Sequence, residues 1–230
     1  MDTAAEIKTL KTQVKELKAE VEKLKDLEEI NRLQKIYGYY LEHWMYEDII
    51  DLFSDSPDTL LNLTYGIFHG KAGIKKYFAG MLEMTQLPEF LHQIMQLAGV
   101  VDIDKSGTIA QGRWYGFGVV VMPRSNGYFQ DLAAGIYTCE YIKEDSVWKI
   151  LKLMWNPIYD ASGISLVKDK PSIGITKDNS LVKHHPKFDE PRNINTKYPT
   201  GYIVPFHFKH PVTGKPSREG KRNAAREKQV

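Results

Sequence analysis

At 230 residues and 42% hydrophobic content, the chain is long enough to bury one substantial core and carry extensions. Its 31 basic and 29 acidic residues, net +2, are mixed along most of the sequence, so no broad field favours nucleic acid or an anionic membrane, and partners are to be sought in a pocket. The only cysteine, Cys139, rules out an intramolecular disulfide and a multi-cysteine metal cage; with no leader-like N-terminus and no run near the roughly 18 apolar residues that cross a bilayer, a cytoplasmic protein is expected.

Residues 5–25 carry the clearest periodicity. Ile7, Val14 and Val21 recur every seven residues, and Leu10, Leu17 and Leu24 follow each by three, which is an a/d heptad seam. Glu6, Gln13 and Glu20 at g would face Lys11, Lys18 and Lys25 at e of a parallel partner, whereas an antiparallel pair would oppose lysine to lysine. Residues 1–25 therefore read as an oligomerisation helix, a parallel dimer or trimer, with β-branched residues at a and Leu at d favouring two strands.

At Asp26 the pattern changes phase and continues as a helix with Leu27, Ile30, Leu33, Ile36 or Tyr37, and Tyr40 on one side. A second helix spans 48–53, the polar run 54–58 with Pro57 ends it, and a strand follows over 60–65. Asn62-Leu63-Thr64 has the glycosylation pattern, read as chance in a strand of a cytoplasmic chain. A turn at Gly70 opens a helix over 71–82, and four strands follow over 90–104, 108–122, 128–143 and 147–156, separated by DKSG, PRSNG and KEDS turns. Helices first and long strands after imply an α+β fold, a curved antiparallel sheet around the N-terminal helices with a cavity between them, over 26–160. Residues 161–230, rich in Pro, Lys, Asn and Gly, read as an extended arm whose last stretch, KPSREGKRNAAREKQV, is a mobile basic tail; a nuclear-localisation role for it is a minor alternative.

The segment DLEEINRLQKIYGYYLEHWMYEDIIDLFSD, the later GRWY run, the EYIKEDSVWKILKL hairpin and the VPFHFKHPVTGKP tail together resemble the SnoaL-like branch of the nuclear transport factor 2-like superfamily. In organisation the chain is similar to bile acid 7α-dehydratase, more distantly to scytalone dehydratase, and also to the formaldehyde-releasing lyases of lignin-derived diarylpropane diols. The resemblance implies a cone-shaped pocket in which Tyr, His and a carboxylate act without metal or organic cofactor. By family position it implies catalytic roles for Tyr37, for Glu42 where the family usually has aspartate, and for His92 at the start of a strand. It departs from the bile acid enzyme in lacking an acid near Gly118 and a late-strand arginine near Pro157, while Asn156 resembles a substrate-holding asparagine.

Elimination needs a base to take a proton and an acid to assist the departing group, and imidazole, phenol and carboxylate supply both. Tyr37 and Glu42 stand roughly 140° apart at about 100° per residue, so only a helix across the mouth of a cone could offer both. In GRWYGFGVVVM one face carries Arg113, Tyr115 and Phe117 and the other Trp114, Gly116 and Gly118; either could line the cavity, as could either Trp155 or Asn156. Tyr40, Tyr65, Arg113, Tyr115 and Asn156 are the candidate substrate contacts. His69 is a weaker candidate for chemistry, and His207 and His210 lack a third ligand, so no metal is expected. The aromatic load of 11% suits a flat phenolic or polycyclic ligand. The expected activity is a cofactor-independent lyase, releasing water or an aldehyde, with ketone isomerisation or a non-enzymatic binding or assembly role as alternatives.

Overall fold

A computed structural model describes residues 3–63, 66–87, 90–124, 127–165, 203, 206 and 209–227. Helix α1 runs unbroken over Thr3–Glu42, since no Gly or Pro interrupts it before Gly38. What changes near Asp26 is the face that is apolar: residues 3–25 are exposed on every side, whereas Ile30, Leu33, Ile36, Tyr37 and Tyr40 are buried. The helix ends in a tight turn in which the Trp44 N–H donates to the Leu41 carbonyl (3.0 Å) and the Met45 N–H to the Tyr40 carbonyl (2.9 Å). Trp44 holds the left-handed position (φ 50°) that glycine usually takes there.

Helix α2 (Tyr46–Asp51) leads into a hairpin of β1 (Leu60–Leu63) and β2 (Gly66–His69), where sequence reading gives a single strand. Gly70, at φ 64°, opens α3 (Gly70–Gly80), followed by the short α4 (Leu82–Thr85). The long strands β3 (Leu91–Ile103), β4 (Ile109–Arg124), β5 (Gly127–Glu144) and β6 (Val147–Ser165) form the antiparallel meander expected from their turns. The six strands lie in the order β2-β1-β6-β5-β4-β3.

The sheet is mixed rather than wholly antiparallel, because β1 pairs parallel with β6. Only strands joined by tight turns must be antiparallel; β1 reaches β6 through most of the chain and is free to adopt either direction. Strand β6 also runs through Pro157 to Ser165 instead of stopping at Asn156. The register shifts between Ala134 and Gly135, leaving Ile158 as an extra residue on β6, and such a bulge tolerates the missing proline N–H.

One core fills the space between the helices and the inner face of the sheet. Behind it a buried polar network joins three strands to α1. Gln34 Nε2 donates to Gln96 Oε1 (2.8 Å), the Tyr141 hydroxyl donates to Gln34 Oε1 (2.8 Å), and Trp114 Nε1 donates to the Tyr141 oxygen (3.0 Å). Such a network specifies how α1 seats on the sheet because each donor finds an acceptor. Further along α1, Asp26 Oδ1 accepts from Lys143 Nζ (2.6 Å) and Trp148 Nε1 (2.9 Å).

Over its described length the last stretch, expected to be a tail, includes a helix that packs on the domain. Residues Glu219–Glu227 form helix α5, anchored by Arg218 on Asp48 (3.0 Å) and Asp51 (2.9 Å) and by the buried Arg222, which donates to the His43 and Thr85 carbonyls. Basic residues here meet acids of α2 and helix-end carbonyls, which a composition-based reading cannot anticipate. Residues 166–202 of the expected arm, together with Tyr65 and His207, lie outside the described residues.

Candidate active site

A cavity of about 440 Å³ opens between the inner face of the sheet and helices α1 and α3. Tyr37 of α1 and His92 of β3 both line it. Tyr37 is 2% exposed, and its ring meets Phe53 and Tyr137 edge-on at centroid separations of 6.4 and 6.2 Å. No hydrogen bond to its hydroxyl forms among the described residues, and burial pushes that hydroxyl well above the usual tyrosine range, with Tyr137 adding to the effect. The phenol is therefore protonated at neutral pH and available as a donor.

His92 lies against Trp44 (centroids 5.6 Å) and nearly parallel to Phe90 (6.5 Å). Its Nδ1 is buried without a hydrogen-bond partner among the described residues, and burial lowers the imidazole to about 4. A neutral imidazole and a neutral phenol thus share one apolar chamber. The strain at Trp44 fits this picture: its Nε1 donates to the Phe78 carbonyl (2.9 Å), and the indole forms the wall beside His92.

The lining carboxylate is Asp131, which is not among the sequence candidates. The strand register sets His92 opposite Val120 and Val120 opposite Asp131. His92 and Asp131 therefore stand level on the same face, two strand spacings or about 9–10 Å apart between backbones. A legible signal exists in YFQDLAAGIYTCEY: Asp131, Ala133, Gly135 and Tyr137 alternate onto one face, and an acid in that row stands out. Tyr137, also absent from the candidates, lines the cavity with Trp155 packed against it at 4.6 Å.

Five candidates point elsewhere. Glu42 lies in a separate groove between α1 and β3, where its Oε1 accepts from Gln93 Nε2 (3.2 Å); its angular distance from Tyr37 on the helix carries it out of the cavity. Burial raises its carboxyl above the usual range, against the Gln93 hydrogen bond. Tyr40 is buried under the C-terminal segment, its hydroxyl 2.5 Å from Ser217 Oγ and its ring against Phe206 and His210. Arg113 and Tyr115 (58% exposed) occupy the outer face of the sheet. Asn156 is exposed and donates to the Ile136 carbonyl (3.2 Å), while its neighbour Trp155 takes the inward position.

The inner face of β4 is therefore that of Trp114, Gly116 and Gly118. Its glycines make room for protein rather than ligand. A Cβ at Gly116 would collide with the Trp155 and Tyr137 rings, and one at Gly118 with the Gln93 carbonyl oxygen. No side chain fits at 118, so an acid there is sterically excluded in this chain. His210 is committed to the fold: its Nε2 lies 2.9 Å from the Asp48 carbonyl and its Nδ1 accepts from the Val212 and Thr213 N–H groups. Among the described residues no cluster of three His, Cys, Asp or Glu side chains is placed to hold a metal ion, and no helix is long and apolar enough to cross a membrane.

The sequence model of the SnoaL-like domain matches residues 22–154, from the second half of α1 to the inward stretch of β6. The chain belongs to the SnoaL-like family. Solved structures similar to this SnoaL-like protein include the hexachlorocyclohexane dehydrochlorinase LinA type 2, 18% identical over 67% of this chain and 99% of the relative, with a TM-score of 0.51. A protein from Novosphingobium aromaticivorans, provisionally assigned as a scytalone dehydratase, is 18% identical over 63% of this chain and 91% of its own, with a TM-score of 0.50. An NTF2-like protein with a cystatin-like fold from the same organism is 17% identical over 62% and 88%, also at 0.50. At these identities the likeness is one of fold, and it agrees with the α+β architecture above.

Proposed function

We propose that this SnoaL-like protein is a cofactor-independent lyase that eliminates water or an aldehyde from a hydroxylated aromatic or polycyclic compound, acting in the reducing cytoplasm that its lone thiol suits. The observation that carries this reading is the pairing of a neutral imidazole, His92, with a protonated phenol, Tyr37, in one aromatic-walled cavity. In dehydration, His92 takes a proton from carbon, the electron pair forms the new double bond, and the C–O bond breaks as Tyr37 protonates the departing oxygen. The imidazolium then returns its proton to the phenolate, and both groups are reset. An imidazole held near 4 is a weak base, so the proton it takes must be acidified by a neighbouring carbonyl or hydroxyaryl group.

Asp131, rather than Glu42, supplies the carboxylate, orienting the substrate hydroxyl or steadying the imidazolium. The walls of Trp155, Tyr137 and Trp44 suit a flat ring system. Two of the similar structures carry names that denote eliminations, a dehydrochlorinase and a dehydratase, which supports the reaction class. The test is incubation with lignin-type diols and hydroxysteroids while water loss and formaldehyde are followed. Turnover abolished by His92→Gln and cut by Tyr37→Phe supports the lyase. Solvent deuterium entering a ketone without fragment loss would replace it with an isomerase, and ligand binding without turnover with a binding module.

A further inference from the structure

Six apolar side chains of α1, Ile7, Leu10, Val14, Leu17, Val21 and Leu24, are 47 to 66% exposed, and no described residue of the chain covers them. At about 100° per residue this stripe lies roughly 150° around the helix from the side that carries Ile30, Leu33, Tyr37 and Tyr40 into the core. The domain therefore cannot cover the stripe without breaking a helix that is continuous through both. A contiguous apolar row on a charged helix marks an interface, and a helix gains most of its stability from packing its apolar face.

The charges flanking the stripe identify the occupant. With Glu6, Gln13 and Glu20 at g and Lys11, Lys18 and Lys25 at e, a parallel, in-register copy opposes Glu6 to Lys11, Gln13 to Lys18 and Glu20 to Lys25 on both sides. An antiparallel copy opposes Lys to Lys, and a helix of unrelated sequence has no reason to match the pattern. The next seam positions, Glu28, Asn31 and Lys35, are polar, so the packed segment ends at Leu24. We propose that residues 7–24 form a parallel two-stranded coiled coil with a second copy of this chain, about 27 Å long at 1.5 Å per residue. Because α1 continues into the cavity wall at Tyr37, a parallel pair sets the two cavities side by side at one end of the coil.

Sedimentation equilibrium of the full chain at micromolar concentration is expected to give twice the chain mass of 26.4 kDa. Leu17→Glu, at an exposed position away from the domain core, is expected to give single chains with unchanged near-ultraviolet circular dichroism. Ile7→Cys under mild oxidation is expected to form a covalent dimer, since only a parallel register brings both positions 7 to one level, while the buried Cys139 leaves the wild type uncrosslinked. A wild-type monomer, a trimer, a Leu17→Glu protein that keeps the dimer mass, or an Ile7→Cys dimer that does not crosslink would each overturn the proposal.

Discussion

His92, the proposed base, also bears on the stability of the fold. In the unfolded chain its imidazole titrates near 6.5, whereas burial holds it at about 4 in the folded protein. Between these values the unfolded state takes up a proton that the folded state refuses. The histidine thus makes stability fall as pH drops from 6.5 towards 4, by at most about 3 kcal/mol, with no effect above 6.5. Thermal melts between pH 7 and 4.5 should show a shallower loss for His92→Gln than for the wild type. Turnover that uses the neutral imidazole should be flat above about pH 5 and fall below it. The two carboxylates are separated by a second pair of substitutions. Asp131→Asn should lower kcat by roughly 10- to 1000-fold, while Glu42→Gln, in its outer groove, should leave kcat within about twofold. Equal losses in both would return Glu42 to the chemistry.

The strands show why some of the site was legible in the sequence and some was not. Alternation along β4 correctly separates Arg113, Tyr115 and Phe117 from Trp114, Gly116 and Gly118, yet a period of two cannot say which face is inward. That choice is made by packing, where Trp155 and Tyr137 need the space that only Gly116 leaves. Family position picks out Tyr37 and His92, which do line the cavity, whereas Tyr40 is taken up by Ser217, 177 residues away in sequence, and Asp131, though alternation marks its row, could not be set level with His92 because register across three strands cannot be read from one. Turn chemistry is more local. The KEDS turn joining β5 to β6 places Asp145 (φ 48°) and Ser146 (φ 64°) in left-handed backbone, the two-residue hairpin geometry that favours glycine at its second position. Ser146→Gly should stabilise the protein by about 0.5–1 kcal/mol in urea unfolding, with the slope unchanged. A destabilisation would mean that the serine side chain contributes more than its backbone costs.

At the scale of the whole molecule, the C-terminal helix α5 and the segment before it meet α2 and the C-terminal end of α1. Neither contributes a described residue to the cavity lining, yet Arg222 bonds the carbonyl of His43, the residue before the strained Trp44 that walls the cavity. The anchor of this arrangement is Arg218 on Asp48, a carboxylate 1% exposed. Burial raises Asp48 to about 6 in spite of the opposing pull of Arg218, so without the guanidinium it would sit higher still. Folding then favours the protonated acid, and its ionisation costs stability increasingly as pH rises from about 4 to about 6 and by a constant amount above that. Arg218→Ala should therefore destabilise the protein by about 2 kcal/mol at pH 7.5, where a buried carboxylate is left without its partner. At pH 4 the acid is protonated with or without Arg218, and the difference in melting temperature should shrink to a small remainder from the partly exposed Asp51 contact. If the loss is equal at both pH values, Arg218 acts through packing of α5 and not through the charge on Asp48. A pH-dependent loss together with weaker ligand binding would show that the C-terminal helix supports the cavity wall through α1.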